Sequence, residues 1–243
     1  MTITEAIVPL AIITFAALCH ASFQLSTSML TMLSGHAIGR QTARRKLARL
    51  ITAFILGAAA TTALLLSTLA FWLDRTFTHS IPLYVWSIAT GLAVGVGISV
   101  WLIYYRRKPG TTLWIPRGFA NLLARRSKKA DTSAEAFTLG FTGVIAEILF
   151  VIAPLTIAAL ILLRLQPGWQ LAGVALYTLL AITPLLIVSS LVSMGQKLSR
   201  IQKWREANKR FLQFIAGAGL IVLGAYIYVD HILAATALGL GEL

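Results

Sequence analysis

Hydrophobic residues fall along this chain in long blocks, each broken from the next by a short polar segment. The blocks run near Ile7 to Leu33, Leu50 to Leu73, Leu83 to Tyr105, Phe137 to Leu163, Trp169 to Val192 and Phe211 to Ile232. An apolar run of about 18 or more residues is long enough to cross the hydrocarbon core of a bilayer as a helix. The pattern therefore predicts an all-α integral membrane protein of six transmembrane helices, organised as one membrane domain over residues 1–243. Aromatic residues agree in depth: Trp72, Tyr84, Trp86, Trp101, Tyr104, Tyr105, Trp169, Tyr226 and Tyr228 lie near block ends, where a half-wet ring is favoured.

Three blocks in each half is an odd number, so the second half would enter the membrane upside down relative to the first. A 3+3 inverted repeat of that kind is used by many secondary transporters.

Composition fits this picture. Of 243 residues, 58% are apolar and 12% charged, about half the charged share of a soluble domain. The net charge of +13 would suggest nucleic acid in a soluble protein. Here, however, 19 of the 21 Lys and Arg lie in three segments: Arg40 to Arg49, Arg106 to Lys129 and Lys197 to Arg210. Those segments follow the first, third and fifth blocks, which is the positive-inside signature. The expected placement is a prokaryotic plasma membrane, with the basic loops cytoplasmic, apposed to anionic lipid, and both termini outside. Nucleic acid is not an expected partner.

The longest loop, residues 106–134, contains Trp114-Ile115-Pro116 and Phe119 to Leu123. These suit either a short amphipathic helix on the leaflet or a solvated linker. Cys19 is the single cysteine, so a disulfide or paired-thiol relay within one chain is excluded and apolar packing is its expected role. The first block is too long for a signal h-region and lacks a basic flank, so it is expected to remain as a span.

Glu147, in Gly143-Val-Ile-Ala-Glu147-Ile-Leu-Phe-Val-Ile-Ala-Pro154, is the one acid well inside a predicted span. An acid at that depth is costly unless paired, protonated or facing water, and so marks a candidate ion or proton site; the alternative is a protonated carboxyl that glues two helices. Pro154, two turns on, lacks an N–H and would free the carbonyl of Phe150, giving a polar notch and a helix break. In the first span His20, Gln24, Thr27 and Thr31 share one helical face, either lining a pathway or bonding neighbouring helices. His20 is a possible proton carrier or metal ligand, although no histidine pair has metal-ligand spacing and the metal question stays open. Thr183 and Ser190 in the fifth span flank a kink expected at Pro184. Gly91, Gly95, Gly97, Gly217, Gly219 and Gly224 offer surfaces for close helix approach and for a homodimer. Phosphate loops, zinc helices and nucleophile elbows are missing, so neither an enzyme nor a cofactor is expected.

Several segments together resemble the lysine exporter (LysE) superfamily of six-span secondary transporters, across nearly the whole chain. They are the polar stretch of span one with Ser34-Gly35-His36-Ala37-Ile38-Gly39-Arg40, the Ala136-Phe137-Thr-Leu-Gly140-Phe141 opening of span four, and Ala216-Gly217-Ala-Gly219-Leu-Ile-Val-Leu-Gly224 in span six. The resemblance implies an exporter of a small solute or cation by alternating access. Where amino-acid exporters of that group carry Pro-Gly-Pro and Asn-Pro, this chain reads His20-Ala21-Ser22 and Glu147-Ile148, an ionisable group in each half that suits a cation or proton-coupled solute. In this reading Glu147 takes the cation or proton, His20 supports it, and Gln24, Thr27 and Ser190 contact solute. The alternative is a non-transporting membrane subunit whose polar residues pack against partner proteins in a larger complex, as expected if Glu147 and His20 face only other helices.

Side-specific labelling of cysteines introduced at Arg45, Lys128 and Arg205 should find all three on one face of the membrane. Labelling from opposite faces would remove the topology.

Overall fold

Rich in Leu, Ala and Ile, the apolar blocks favour helix. The computed structural model describes residues 3–23, 41–77, 80–102, 130–194 and 207–237, with four isolated positions besides. The described residues are helical and contain no strand. They form α1 (Ile3–Ser22), α2 (Gln41–Thr76), α3 (Leu83–Leu102), α4 (Ser133–Ala146), α5 (Ile148–Leu162), α6 (Pro167–Ala181), α7 (Thr183–Ser193) and α8 (Lys209–Ile227). A π-helical turn, Tyr228–Leu233, and a final short α9, Ala234–Ala237, extend α8. Four helices are long and apolar enough to cross a membrane, and six units result if each of the bent pairs α4–α5 and α6–α7 counts as one span.

α5 is apolar on every side and correspondingly central. Its residues Ile157 through Leu162 are all buried, and it packs against α1, α2, α3 and α6. The outer faces are apolar too: Leu102 and Leu171 are 78% and 74% exposed, and Leu56, Leu64, Ile88 and Val222 are all above half. Apolar exposure on every helix is unlike a soluble surface. Many hydroxyls on these helices bond back to their own helix: Thr62, Thr156 and Thr183 donate to the carbonyls of Ala58, Ile152 and Leu179 at 2.8–3.0 Å, whereas the buried hydroxyls of Thr90 and Thr178 make no such bond.

The buried side chains form two clusters. The larger joins α1, α3, α5, α6 and α8 with the C-terminal half of α2. The smaller joins the N-terminal half of α2 (Leu50, Phe54) to α4 (Leu139, Val144) and α7 (Leu185, Val188). Where α2 meets α4 the backbones themselves touch: a Cβ on Gly57 would collide with the carbonyl of Phe137, and one on Gly140 with the carbonyl of Phe54. Only glycine permits this approach. Thr61 Oγ1, at 3.3 Å from the carbonyl of Phe141, adds a bond across the same seam. At its start α4 is fixed by a capping box, with Glu135 accepting from the N–H of Thr132 at 3.0 Å and donating its own N–H to Thr132 Oγ1 at 3.3 Å. Asp131, beside it, pairs with Lys46 of α2.

The first helix break falls elsewhere than the proline rule suggests, and the second falls beside its proline. α4 and α5 meet at 80°, and the turn is at Glu147 (φ −89°, ψ −2°), seven residues before Pro154, through which α5 runs on as one helix. α4 is held to α2 while α5 is held inside the bundle, so tertiary packing places the bend. The second bend, 48° between α6 and α7, is at Ile182 (φ −86°, ψ 0°), and Pro184 sits in the first turn of α7, where its missing N–H costs nothing. Of the small-residue surfaces, Gly97, Gly217 and Gly224 lie in the α3–α8 seam and Gly219 faces Cys19 Sγ, whereas Gly91 and Gly95 face open space.

Gly57→Ala or Gly140→Ala should lower stability by about 3 kcal/mol or more, because the added carbon meets backbone that cannot yield. Gly91→Ala, with room around it, should leave the melting temperature in detergent unchanged or slightly higher. Equal behaviour of the two sets would remove the α2–α4 backbone contact.

Candidate functional site

His20 lies in the last turn of α1. The helix ends just beyond it: Ser22 Oγ donates to the carbonyl of Cys19 at 2.6 Å, and the N–H of Phe23 turns back to the carbonyl of His20 at 3.1 Å. Glu147 occupies the bend between α4 and α5. Its N–H reaches the carbonyl of Val144 at 3.1 Å, and its own carbonyl accepts from Phe150 at 2.8 Å and Val151 at 3.2 Å. His20 thus stands in the last turn of α1 and Glu147 at the bend between two helices, and each is completely buried.

The end of α1 and the bend at Glu147 meet. Phe23, three residues after His20, stacks on Phe150, three residues after Glu147, with ring centroids 5.7 Å apart and planes 21° from parallel. The third member comes from α6. Gly173 lets that helix lie close to α1, where a Cβ would sit 3.2 Å from Ile13 and 2.6 Å from Leu162. One turn later the buried Tyr177 brings its hydroxyl to 3.0 Å from His20 Nδ1, the rings edge-on with centroids 5.7 Å apart. His20 Nε2 is buried and makes no hydrogen bond among the described residues.

The remaining residues singled out from sequence are not gathered at this point. Gln24 and Thr27 lie outside the described residues. Ser190 is exposed on α7 and donates to the carbonyl of Leu186 at 2.9 Å. Among the described residues no three His, Cys, Asp or Glu side chains converge as metal ligands. Cys19 is buried against α8.

A second polar cluster was not anticipated. The π-helical turn carries His231 inward, to 6% exposure. Its ring lies edge-on to Trp86 with centroids 3.7 Å apart, and the Arg164 guanidinium covers the same indole at 5.2 Å. Asp230 Oδ2 is 2.9 Å from His231 Nδ1, without hydrogen-bond alignment. One extra residue in a helical turn is a common way to aim a side chain inward.

Comparison with known proteins gives no match to a family model, to a characterised protein or to a solved structure.

Tyr177→Phe removes one hydrogen bond and no volume. It should cost about 1 kcal/mol and leave the fold intact in thermal melts. A loss several times larger would mean that the hydroxyl has a structural role beyond His20.

Proposed function

We propose that this chain is a six-span secondary transporter of the lysine exporter type, set in a plasma membrane with its basic loops cytoplasmic and both termini outside. On this reading it exports a small solute or cation by alternating access, and the basic loops lie against anionic lipid. The observation that carries the proposal is the meeting of the end of α1 and the α4–α5 bend, each with a buried ionisable residue, through the Phe23–Phe150 stack. Intramembrane ionisable groups at broken helices are where transporters bind coupling ions and solute. Glu147 is the cation or proton site, and His20 and Tyr177 complete it; Gln24 and Thr27 follow directly on from α1.

Helix pairing supports the inverted repeat. The first span packs on the fourth, the second on the fifth and the third on the sixth, and exchanging the halves leaves these pairs unchanged. The same exchange converts the second–fourth contact into the first–fifth, and the third–fourth into the first–sixth, all of which are present. The fourth–fifth contact has no first–second counterpart of similar extent among the described residues. Gly97 and Gly217 face each other's carbonyls at 2.8 and 2.9 Å from the position of an added Cβ. Phe23 and Phe150 likewise face each other, as residues astride a two-fold axis would.

The complete burial of Glu147 and His20 also favours a second reading, a non-transporting subunit in which both groups bond neighbouring helices and partner proteins cover the outer faces. Transport decides between the two. In proteoliposomes under an imposed pH gradient, offered a panel of amino acids and divalent cations, wild-type protein should move at least one solute in a pH-dependent manner. Glu147→Gln should abolish that dependence while its melting temperature stays within a few degrees of wild type. Normal transport by the variant would remove Glu147 from the mechanism, and purification of the chain only within a larger complex would support the subunit reading.

A further inference from the structure

The His20–Tyr177 contact fixes more than position. Tyr177 is wholly buried, and the one hydrogen-bond partner of its hydroxyl among the described residues is His20 Nδ1. A neutral imidazole has one donor nitrogen and one acceptor nitrogen, and a tyrosine hydroxyl has a single proton to give. If Nδ1 carried the ring proton and donated to Tyr177 Oη, the phenolic proton would be left in an apolar interior without an acceptor, and the lone pair of Nε2 would be unmet as well. If instead Tyr177 donates to Nδ1, the phenol is satisfied and only the Nε2–H is left over. Buried donors are rarely left without partners, so the second arrangement costs less.

We infer that Tyr177 is a positioning residue that holds His20 as the Nε2–H tautomer, so that the site presents a hydrogen-bond donor to its solute and selects an oxygen acceptor such as a carbonyl or carboxylate group. A divalent metal ion is disfavoured at this histidine. Its coordination needs an unprotonated ring nitrogen: Nδ1 is already occupied, Nε2 would first have to lose its proton, and no group of three ligands of the usual kinds converges among the described residues. The other end of the pair depends on how α6 is seated: Gly173 sets the approach of α6 to α1, and one turn on, the phenol arrives in hydrogen-bonding reach. The inference rests on the transporter reading only for what the Nε2–H meets; the tautomer itself is independent of transport.

Nitrogen-15 NMR of protein labelled at its four histidines, in nanodiscs at neutral pH, tests it directly, with the His20 signals identified by their loss in His20→Gln. Wild-type protein should show an unprotonated, pyridine-type Nδ1 and a protonated, pyrrole-type Nε2 at His20. In Tyr177→Phe the Nδ1 signal should shift towards an averaged position as the two tautomers mix, a change that loss of packing alone would not produce. Addition of Co²⁺ alone should leave the wild-type His20 signals unbroadened. A wild-type ring protonated at Nδ1, an imidazolium with both nitrogens protonated, or Co²⁺ broadening confined to His20 would each overturn the inference. Should Tyr177→Phe fail to fold, the wild-type tautomer still decides. A wrong tautomer leaves the Glu147 test standing, and pH-independent transport would leave the tautomer standing, so the two failures are distinguishable.

Discussion

The approach of α2 to α4 is the constraint on which the site depends. With no side chain at Gly57 or Gly140, the two backbones come into direct contact, and dispersion over that seam replaces the hydrophobic driving force that two helices in an apolar medium lack. α4 is thereby committed to α2. α5, apolar all round, is committed to the middle of the bundle. One residue must absorb the difference in direction, and that residue is Glu147, so the carboxyl group arrives at a helix end rather than along a helix flank. Where a helix is interrupted, backbone groups that would otherwise be consumed by the ladder become available to a bound species.

A second seam plays the matching part on the other side of the bundle. Gly173 lies where α6 approaches α1 and α5, against the side-chain tips of Ile13 and Leu162 rather than against backbone, and the residue one turn further on has a different partner in each seam. Thr61 reaches a backbone carbonyl of α4, whereas Tyr177 reaches the imidazole of His20.

Much of the helical layout could be read from the runs of apolar residues, because period and length are local properties. Glu147 and His20 could be singled out for the same reason: an ionisable side chain in an apolar run is conspicuous. The position of the bend could not be read. Pro154 is the stronger local signal, yet the chain turns at Glu147, where two helices already held by different neighbours diverge. Tyr177 was passed over although a signal existed, since most tyrosines and tryptophans sit at block ends and this one sits in the middle of its block. Gly57 was hidden in Leu-Gly-Ala-Ala-Ala, where nothing local distinguishes a contact glycine from a spacer. The inward turn of His231 depends on a single π-helical insertion, which leaves no mark in hydrophobic period.

The bent pairs bear on how such a chain is made. α4 has 14 residues and α5 has 15, while α6 has 15 and α7 has 11, each short of the ~20 that a helix needs to cross hydrocarbon. In a bilayer none of these halves is a viable passenger of the insertion machinery by itself. On the six-span reading, each pair would enter as one apolar stretch and acquire its angle when the neighbouring helices arrive to hold the halves apart. The carboxyl of Glu147 would then cross the membrane as part of an ordinary helix, and the site would come into being only with the last steps of assembly.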